Sequence, residues 1–152
     1  MTDVTVSADI DAPADKVWSL VSDLPRMGEW SPENTGGRWL AGANGPKVGA
    51  KFRGSNAKGL RRWSTTCVVT DATPGKRFAF EVTYGPLPIS TWEYDLTGDA
   101  ASTRVTESWT DRRPSWMKIA SGPVMGVRDR NEYNRRGMEH TLAALKKAAE
   151  DG

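Results

Sequence analysis

The sequence of 152 residues is poor in the side chains on which many active sites depend, with one cysteine, Cys67, and one histidine, His140. A single cysteine excludes a disulfide within the chain and any cysteine-based zinc cluster. No apolar run approaches membrane-spanning length. The first residues do not form a signal peptide, because no basic segment precedes an apolar run. We therefore expect a cytoplasmic protein.

The net charge is also small. The chain has 21 basic and 19 acidic residues, a balance of +2 that by itself implies neither a nucleic-acid nor an anionic-membrane partner. The basic pairs Arg61-Arg62, Arg112-Arg113 and Arg135-Arg136 come without a nucleic-acid-binding motif, which favours a solvated surface. We expect no specific nucleic-acid partner and no membrane insertion. The oligomeric state is left open.

Motifs for catalysis are mostly absent. The sequence contains no G-x-S-x-G, phosphate-binding loop, dinucleotide fingerprint or H-E-x-x-H, so we expect no cofactor and no metal. His140 falls about half a turn from the helical stripe of Met138, Leu142 and Leu145, which predicts that it faces water. Cys67 lies in a strand among apolar residues, where a buried, inert thiol is expected.

Hydrophobic periodicity predicts the order of elements. Residues 4–10 alternate as in a half-buried strand, and helical spacing predicts a short helix over 13–22, with Pro13 in its first turn. Asp23 is predicted to cap a second short turn, which Gly28 lets the chain leave. Period-two alternation then predicts six strands. Gly122-Pro123 is predicted to mark a break or a helix start, and a helical period returns for one long helix over 124–149. The predicted strands cover 37–41, 48–55, 61–72, 76–84, 88–97 and 102–111.

This order predicts an α+β fold in a single domain covering residues 1–152. An antiparallel sheet must cover its apolar face, and the C-terminal helix is the only long element available for that. A strongly curved sheet around one helix leaves space between the two. We therefore expect an internal ligand cavity.

Three segments resemble the polyketide cyclase/dehydrase-like branch of the START and birch-pollen-allergen superfamily, the helix-grip or SRPBCC proteins. They are the "AP…VW…VSD…W" opening, "GKRFAF", and "STWEYDLTGDAASTRVTESW". The resemblance runs from about Val4 to Leu145. It implies a curved antiparallel sheet of about seven strands wrapped around the long C-terminal helix, with two short helices after the first strand. It also implies that Trp30 is a lid or lining residue of an apolar cavity; a ring that plugs the sheet end is the structural alternative.

The aromatic residues point to the same cavity. The chain has seven tryptophans, and strand alternation places Trp92 with Tyr94 on one face and Trp109 with Glu107 on another. An aromatic core explains part of this pattern, whereas a pocket for a hydrophobic ligand explains so much rigid ring area better.

Polar residues interrupt the apolar stripe of the long helix. Asn131 falls at the centre of the stripe through Val127 and Met138, with Arg135 beside it and Asn134 on its flank. Buried polar groups need partners, and Glu107 is the matching acid on the sheet. Either Asn131 bonds a strand and Arg135 snorkels outward, or these residues orient a ligand's oxygen atoms. The predicted ligand-binding residues are Trp30, Trp63, Phe80, Trp92, Tyr94, Glu107, Trp109, Val127, Asn131 and Arg135.

These features predict a protein that binds a hydrophobic or amphipathic small molecule, lipid- or polyketide-like, in an internal cavity. A first alternative, implied by the resemblance, is an enzyme of the polyketide cyclase or dehydratase type, with Glu107 and Arg135 supplying acid or base groups. A second is a protein-interaction or stress-regulatory role, because some superfamily members act on chaperones, ribosomes or quinone-dependent complexes. No pattern of catalytic residues decides whether a reaction occurs.

Overall fold

A computed structural model describes residues 3–30, 34–40, 42, 45–58, 60–114, 116 and 130–151. The described elements follow the predicted order of one strand, two short helices, six strands and a long helix. They are β1 (Val4–Ile10), α1 (Ala14–Val21), a 3₁₀ helix (Leu24–Glu29), β2 (Asn34–Trp39), β3 (Lys51–Lys58), β4 (Arg61–Thr73), β5 (Arg77–Tyr84), β6 (Leu87–Gly98), β7 (Thr103–Asp111) and α2 (Arg130–Asp151).

The seven strands form one antiparallel sheet in the order β1-β7-β6-β5-β4-β3-β2. Strands β2 to β7 form a meander, and β1 pairs with β7, so that Val4 lies opposite Trp109. The register shifts between Val69 and Asp71 in β4 and between Val82 and Thr83 in β5. Such irregularities bend a strand and increase its twist, and the sheet is curved. The α+β helix-grip architecture is confirmed.

Helix α2 covers one side of the inner face. It packs mainly on β1 and also touches α1 and β7. Met138, Leu142, Leu145 and Ala149 are buried, which confirms the C-terminal part of the predicted stripe. Polar contacts fix the end of the helix, because Lys146 Nζ donates a hydrogen bond to the Asp9 carbonyl oxygen at 2.9 Å.

The predicted position of Asn131 at the centre of the buried stripe is wrong. Asn131 and Arg135 are exposed, and Asn134 is buried instead. Asn131 is in line with Ala149 on a helical projection, but the contact line runs through Leu145, Leu142 and Met138 to Asn134 and drifts by about 60°. The first turns of α2 thus present Asn131 and Arg135 to water and Asn134 to the protein.

The short helices also correct the sequence analysis. Pro13 occupies the N-cap position of α1 rather than its first turn, and Asp23 occupies the N-cap of the 3₁₀ helix without a side-chain capping bond. Gly28 lies inside that helix, which ends at Glu29. Trp18 anchors α1 to the sheet, since its indole N–H donates to the Arg77 carbonyl oxygen at 2.9 Å.

Parts of the predicted pattern lie outside the described residues. These include the predicted break at Gly122-Pro123 and residues 124–129 of the predicted long helix, with Val127 among them. Within the part of the chain that the structure describes, neither α1 nor α2 has the length and apolar character that a membrane crossing requires.

The backbone of β2 at Gly37 lies close to the Phe52 ring and to the backbone of β3. A β-carbon on Gly37 would lie 2.6 Å from Phe52 Cζ and closer still to the Arg53 carbonyl oxygen. The Phe52 ring is 1% exposed and packs edge-on against Trp39, with 5.3 Å between ring centroids. Because the nearest atom belongs to the backbone of the neighbouring strand, a β-carbon at this position would force β2 away from β3.

We therefore expect Gly37→Ala to destabilise the protein by about 1–3 kcal/mol, the usual cost of overpacking. Gly45→Ala is the matched control, because nothing lies within 4 Å of a β-carbon there. Thermal unfolding of both variants measures the difference. Equal melting temperatures for the two variants would contradict the packing of Phe52 on Gly37.

Candidate functional site

The strand register brings aromatic and acidic side chains together on the inner face of the sheet. Cross-strand pairing between β1, β7, β6 and β5 aligns two neighbouring rows of residues. One row is Val6, Glu107, Tyr94 and Phe78, and the other is Val4, Trp109, Trp92 and Phe80. All eight side chains are buried except Trp92, which is half-buried. The four residues predicted on β6 and β7, together with Phe80, thus lie in one patch.

Glu107 is the polar centre of this patch. Its side chain is 1% exposed, and its Oε2 accepts a hydrogen bond from the Tyr94 hydroxyl at 2.8 Å. The other oxygen atom, Oε1, is buried and has no hydrogen-bond partner among the described residues. A buried carboxyl oxygen without a partner costs about 1–3 kcal/mol, so such an atom is rare in a protein core.

Burial sets the protonation state of this pair. It raises the pKa of Glu107 to about 8, and the hydrogen bond from Tyr94 only partly opposes that shift. Burial and the neighbouring carboxylate raise the pKa of Tyr94 well above its usual value. At neutral pH, Glu107 is therefore mostly a neutral acid, which can donate a hydrogen bond as well as accept one.

Aromatic rings surround the pair with flat apolar surface. The Trp92 and Trp109 ring centroids are 6.4 Å apart and tilted by 46°, and Phe78 and Phe80 are 5.7 Å apart. The Trp92 indole N–H donates to Ser90 Oγ at 3.0 Å, which uses its polar atom and leaves its rings for apolar contact.

Trp30 follows the 3₁₀ helix and is buried, with 3% of its surface exposed. The Arg26 guanidinium lies 5.1 Å from the Trp30 ring centroid, and Glu29 holds Arg26 at 2.7 Å. The indole N–H of Trp30 is buried without a partner among the described residues. Burial is compatible with both predicted roles, lining residue and plug, and the lining role stays a prediction.

Three predicted residues are not brought to the Glu107 patch. Trp63 lies opposite Asn56 on β3, and it is six residues along β4 from Val69, the partner of Phe80. Six strand residues span about 20 Å. Asn131 and Arg135 are exposed, and Val127 lies outside the described residues. Their ligand contacts stay predictions.

Ser90 was missed in the sequence analysis, and Asn134 was placed only on the flank of the helical stripe. Ser90 is 4% exposed and alternates with Trp92 on one face of β6, a signal that period-two alternation carries. Asn134 lies four residues before Met138 and so fits the spacing of a helical face. A stripe projected straight along the helix from Ala149 passes through Asn131 instead. Serine and asparagine have no chemical signature in a single sequence that would single them out.

The predictions for His140 and Cys67 are confirmed. His140 is exposed. Burial raises the pKa of the Cys67 thiol to about 12, so the reactive thiolate is scarce at neutral pH. Within the described ranges, no cluster of three or more histidine, cysteine, aspartate or glutamate side chains is arranged to hold a metal ion.

A groove of about 320 Å³ lies beside α1. It is lined by Trp18, Ser19, Ser22, Asp23, Trp39, Gly45 and Pro46. None of these residues belongs to the predicted ligand-binding set. The expected internal cavity stays a prediction.

Comparison with known proteins identifies the family. The family model described as polyketide cyclase / dehydrase and lipid transport matches residues 1–150. The chain belongs to this family. A polyketide-cyclase-like protein from Corynebacterium glutamicum, solved by solution NMR, is 30% identical, with 97% of this chain and 91% of that one covered and a TM-score of 0.65. The suspected superfamily is thereby confirmed.

More distant structures share the fold. The di-domain ARO/CYC protein StfQ of the steffimycin biosynthetic pathway is 14% identical, with a TM-score of 0.67 over 97% of this chain and 44% of StfQ. DynU16 of the dynemicin biosynthetic locus is 20% identical, with a TM-score of 0.61 over 95% of this chain and 45% of DynU16. The chain thus spans less than half of either protein. Comparison with curated protein sequences gave no match.

The buried acid predicts a distinctive pH dependence of stability. An acid whose pKa is higher in the folded than in the unfolded protein stabilises the fold less as pH rises between the two values. We expect Glu107→Gln, which mimics the neutral acid, to gain stability relative to the wild type from about pH 4.5 to 8. The gain should be about 1 kcal/mol per pH unit. Denaturant unfolding across this range measures it.

Glu139→Gln on the exposed side of α2 is the control for the substitution itself. If the Glu107→Gln and wild-type profiles run parallel throughout this range, the carboxyl is not held neutral by burial.

Proposed function

We propose that this protein binds a hydrophobic or amphipathic small molecule, lipid- or polyketide-like, against the inner face of its sheet. The observation that carries the proposal is the Glu107 carboxyl, buried among aromatic rings with Oε1 unpartnered among the described residues. The family description, which names polyketide cyclases, dehydrases and lipid transport, supports the same class of ligand.

The argument rests on the cost of the buried carboxyl. An apolar side chain of similar size would fill this position without leaving an oxygen atom unpaired. A ligand oxygen atom would pair with the free side of the carboxyl, while Tyr94 fixes the other side at 2.8 Å. The pair is therefore suited to anchor one carbonyl or hydroxyl group of an otherwise apolar molecule.

The surrounding rings favour a ligand with flat parts. Trp92, Trp109 and Phe80 present rigid surfaces that gain contact area at little cost in conformational entropy. Planar conjugated segments or rings stack on such surfaces better than a kinked chain does. Apolar contact supplies the affinity in this proposal, and the Glu107–Tyr94 pair sets the orientation.

A neutral naphthalene ketone with environment-sensitive fluorescence is a suitable probe, and the same naphthalene without its carbonyl group is the reference compound. The wild type should bind the ketone more tightly. The double variant Glu107→Leu/Tyr94→Phe removes both polar partners, which leaves stability nearly unchanged. It should bind the ketone roughly tenfold more weakly and the reference compound about equally.

The same titrations test the protonation state. Affinity of the wild type for the ketone should fall as pH rises through about 8, because the ionised carboxylate no longer donates a hydrogen bond. A folded double variant with undiminished affinity for the ketone would show that this pair is not the anchor. Absence of saturable binding of both probes to the folded wild type would argue for an aromatic core without a ligand site.

The Glu107 carboxyl also favours a second candidate function, that of a cyclase or dehydratase acting on a bound polyketide-like chain. A group with a pKa of about 8 is suited to transfer protons at neutral pH. It can protonate a leaving hydroxyl group or a carbonyl oxygen while the rings hold the chain in a folded shape. Arg135, also considered for acid-base work, is exposed and does not reach the pair.

Turnover of a soluble β-polyketone thioester by the wild type, lost in Glu107→Gln at undiminished probe affinity, would favour the enzyme over the binding protein. Binding without turnover would favour the binding protein. The protein-interaction alternative and the cytoplasmic location stay predictions.

A further inference from the structure

The small net charge conceals a strong separation of charge along the chain. Between Asn34 and Thr70 the sequence has seven basic residues and no acidic residue. The remainder of the chain has 14 basic and 19 acidic residues, a balance of −5. The basic residues are Arg38, Lys47, Lys51, Arg53, Lys58, Arg61 and Arg62.

The fold gathers this segment at one edge of the sheet, in β2, β3 and the first part of β4. Arg38 and Arg53 lie directly opposite each other on β2 and β3, and both are exposed. Like charges in this position destabilise a strand pair. Arg38, Arg53 and Arg62 form no ion pair with the described residues. Within the part of the chain that the structure describes, these three arginines at the edge are therefore not neutralised by an ion pair.

Exposed apolar side chains mark one end of the same strands. Leu60, in the turn between β3 and β4, is fully exposed, at 101% of the reference area. Tyr84 ends β5 at this same end of the antiparallel sheet and is 51% exposed. We call the pair of Leu60 and Tyr84 the Leu60 end.

The β3–β4 hairpin extends beyond the end of β5 at this end of the sheet. Its last paired residues, Lys58 and Arg61, flank the turn that carries Leu60. Thr66 pairs with Thr83, so Tyr84 lies level with Thr65, and β4 extends four further residues to Arg61. Four strand residues span about 13 Å. A single exposed leucine thus occupies the apex of a protruding basic hairpin.

We propose that the Leu60 end docks this protein on an anionic lipid bilayer. Leu60 enters the apolar region of the interface, and Tyr84 lies at headgroup level, where amphipathic rings are favoured. Basic residues around the hairpin contact acidic headgroups, each with a modest gain. The protein is held at the surface and does not span the membrane.

The chemistry of this surface favours a bilayer over nucleic acid. Phosphate recognition alone accounts for the basic residues but leaves a fully exposed leucine at the apex without a role. A bilayer interface accepts both, because apolar insertion and headgroup attraction add to each other. The inference goes beyond the proposed ligand site, since the docking residues and the Glu107 patch share no residue.

Co-sedimentation with vesicles tests the proposal. The wild type should bind vesicles of phosphatidylcholine containing about one third phosphatidylserine, and much less of it should bind phosphatidylcholine alone. Leu60→Ser and Arg62→Glu should each weaken binding roughly tenfold. Both positions are exposed, so both variants should fold normally.

Matched controls come from the opposite end of the sheet. Val48 is 68% exposed before the start of β3, and Lys147 is exposed near the end of α2. Val48→Ser and Lys147→Glu repeat the same two chemical changes and should leave vesicle binding within about twofold of the wild type. The Glu107→Leu/Tyr94→Phe variant should also bind vesicles normally, which separates docking from the proposed ligand site.

Three outcomes would overturn the inference. The control variants could lose as much vesicle binding as the test variants, Leu60→Ser could bind acidic vesicles as tightly as the wild type, or the wild type could fail to bind acidic vesicles. Binding to a DNA duplex that exceeds binding to acidic vesicles at the same salt concentration would also overturn it, and would assign the basic edge to nucleic acid.

Discussion

The fold depends on keeping one face of a seven-stranded antiparallel sheet away from water. Helix α2 packs mainly on β1 and touches β7, so it covers one side of that face. The face therefore carries large side chains of its own, with Phe52, Phe78, Phe80 and Tyr94 buried across β3, β5 and β6. Trp18 and Trp30, supplied by the segments between β1 and β2, complete the cover. Apolar area drives this arrangement, and it concentrates rings where a ligand would lie.

Glu107 is the exception to that apolar cover. The pleat fixes its direction, because Val105 and Trp109 on either side are buried on the same face. The hydrogen bond from Tyr94 is a cross-strand contact, since the two residues are direct partners in the register. The pair is therefore built into the sheet rather than into a loop, which gives its atoms a rigid position. Rigid positioning is what a site needs to orient a ligand.

Much of this was predictable from the sequence, because alternation in strands is a local property. The strands were placed to within a few residues, and Glu107 was singled out as an acid on an apolar strand face. The orientation of the first turn of α2 was not predictable, since the drift that buries Asn134 and exposes Asn131 depends on how the helix crosses the sheet. Trp63 likewise has a strand position that alternation identifies, but its distance from Glu107 depends on register. Register and crossing angle are tertiary properties that a single sequence does not state.

The pairing of β1 with β7 also has a consequence for how the chain reaches its fold. Val4 lies opposite Trp109, so strands far apart in the chain must meet before that edge of the sheet exists. During synthesis β1 emerges first and remains without its strand partner until β7 has left the ribosome, whereas hairpins such as β3–β4 close as they appear. Long-range pairing of this kind slows folding. The alternating apolar side chains of β1 are thus the part of the nascent protein that stays exposed longest.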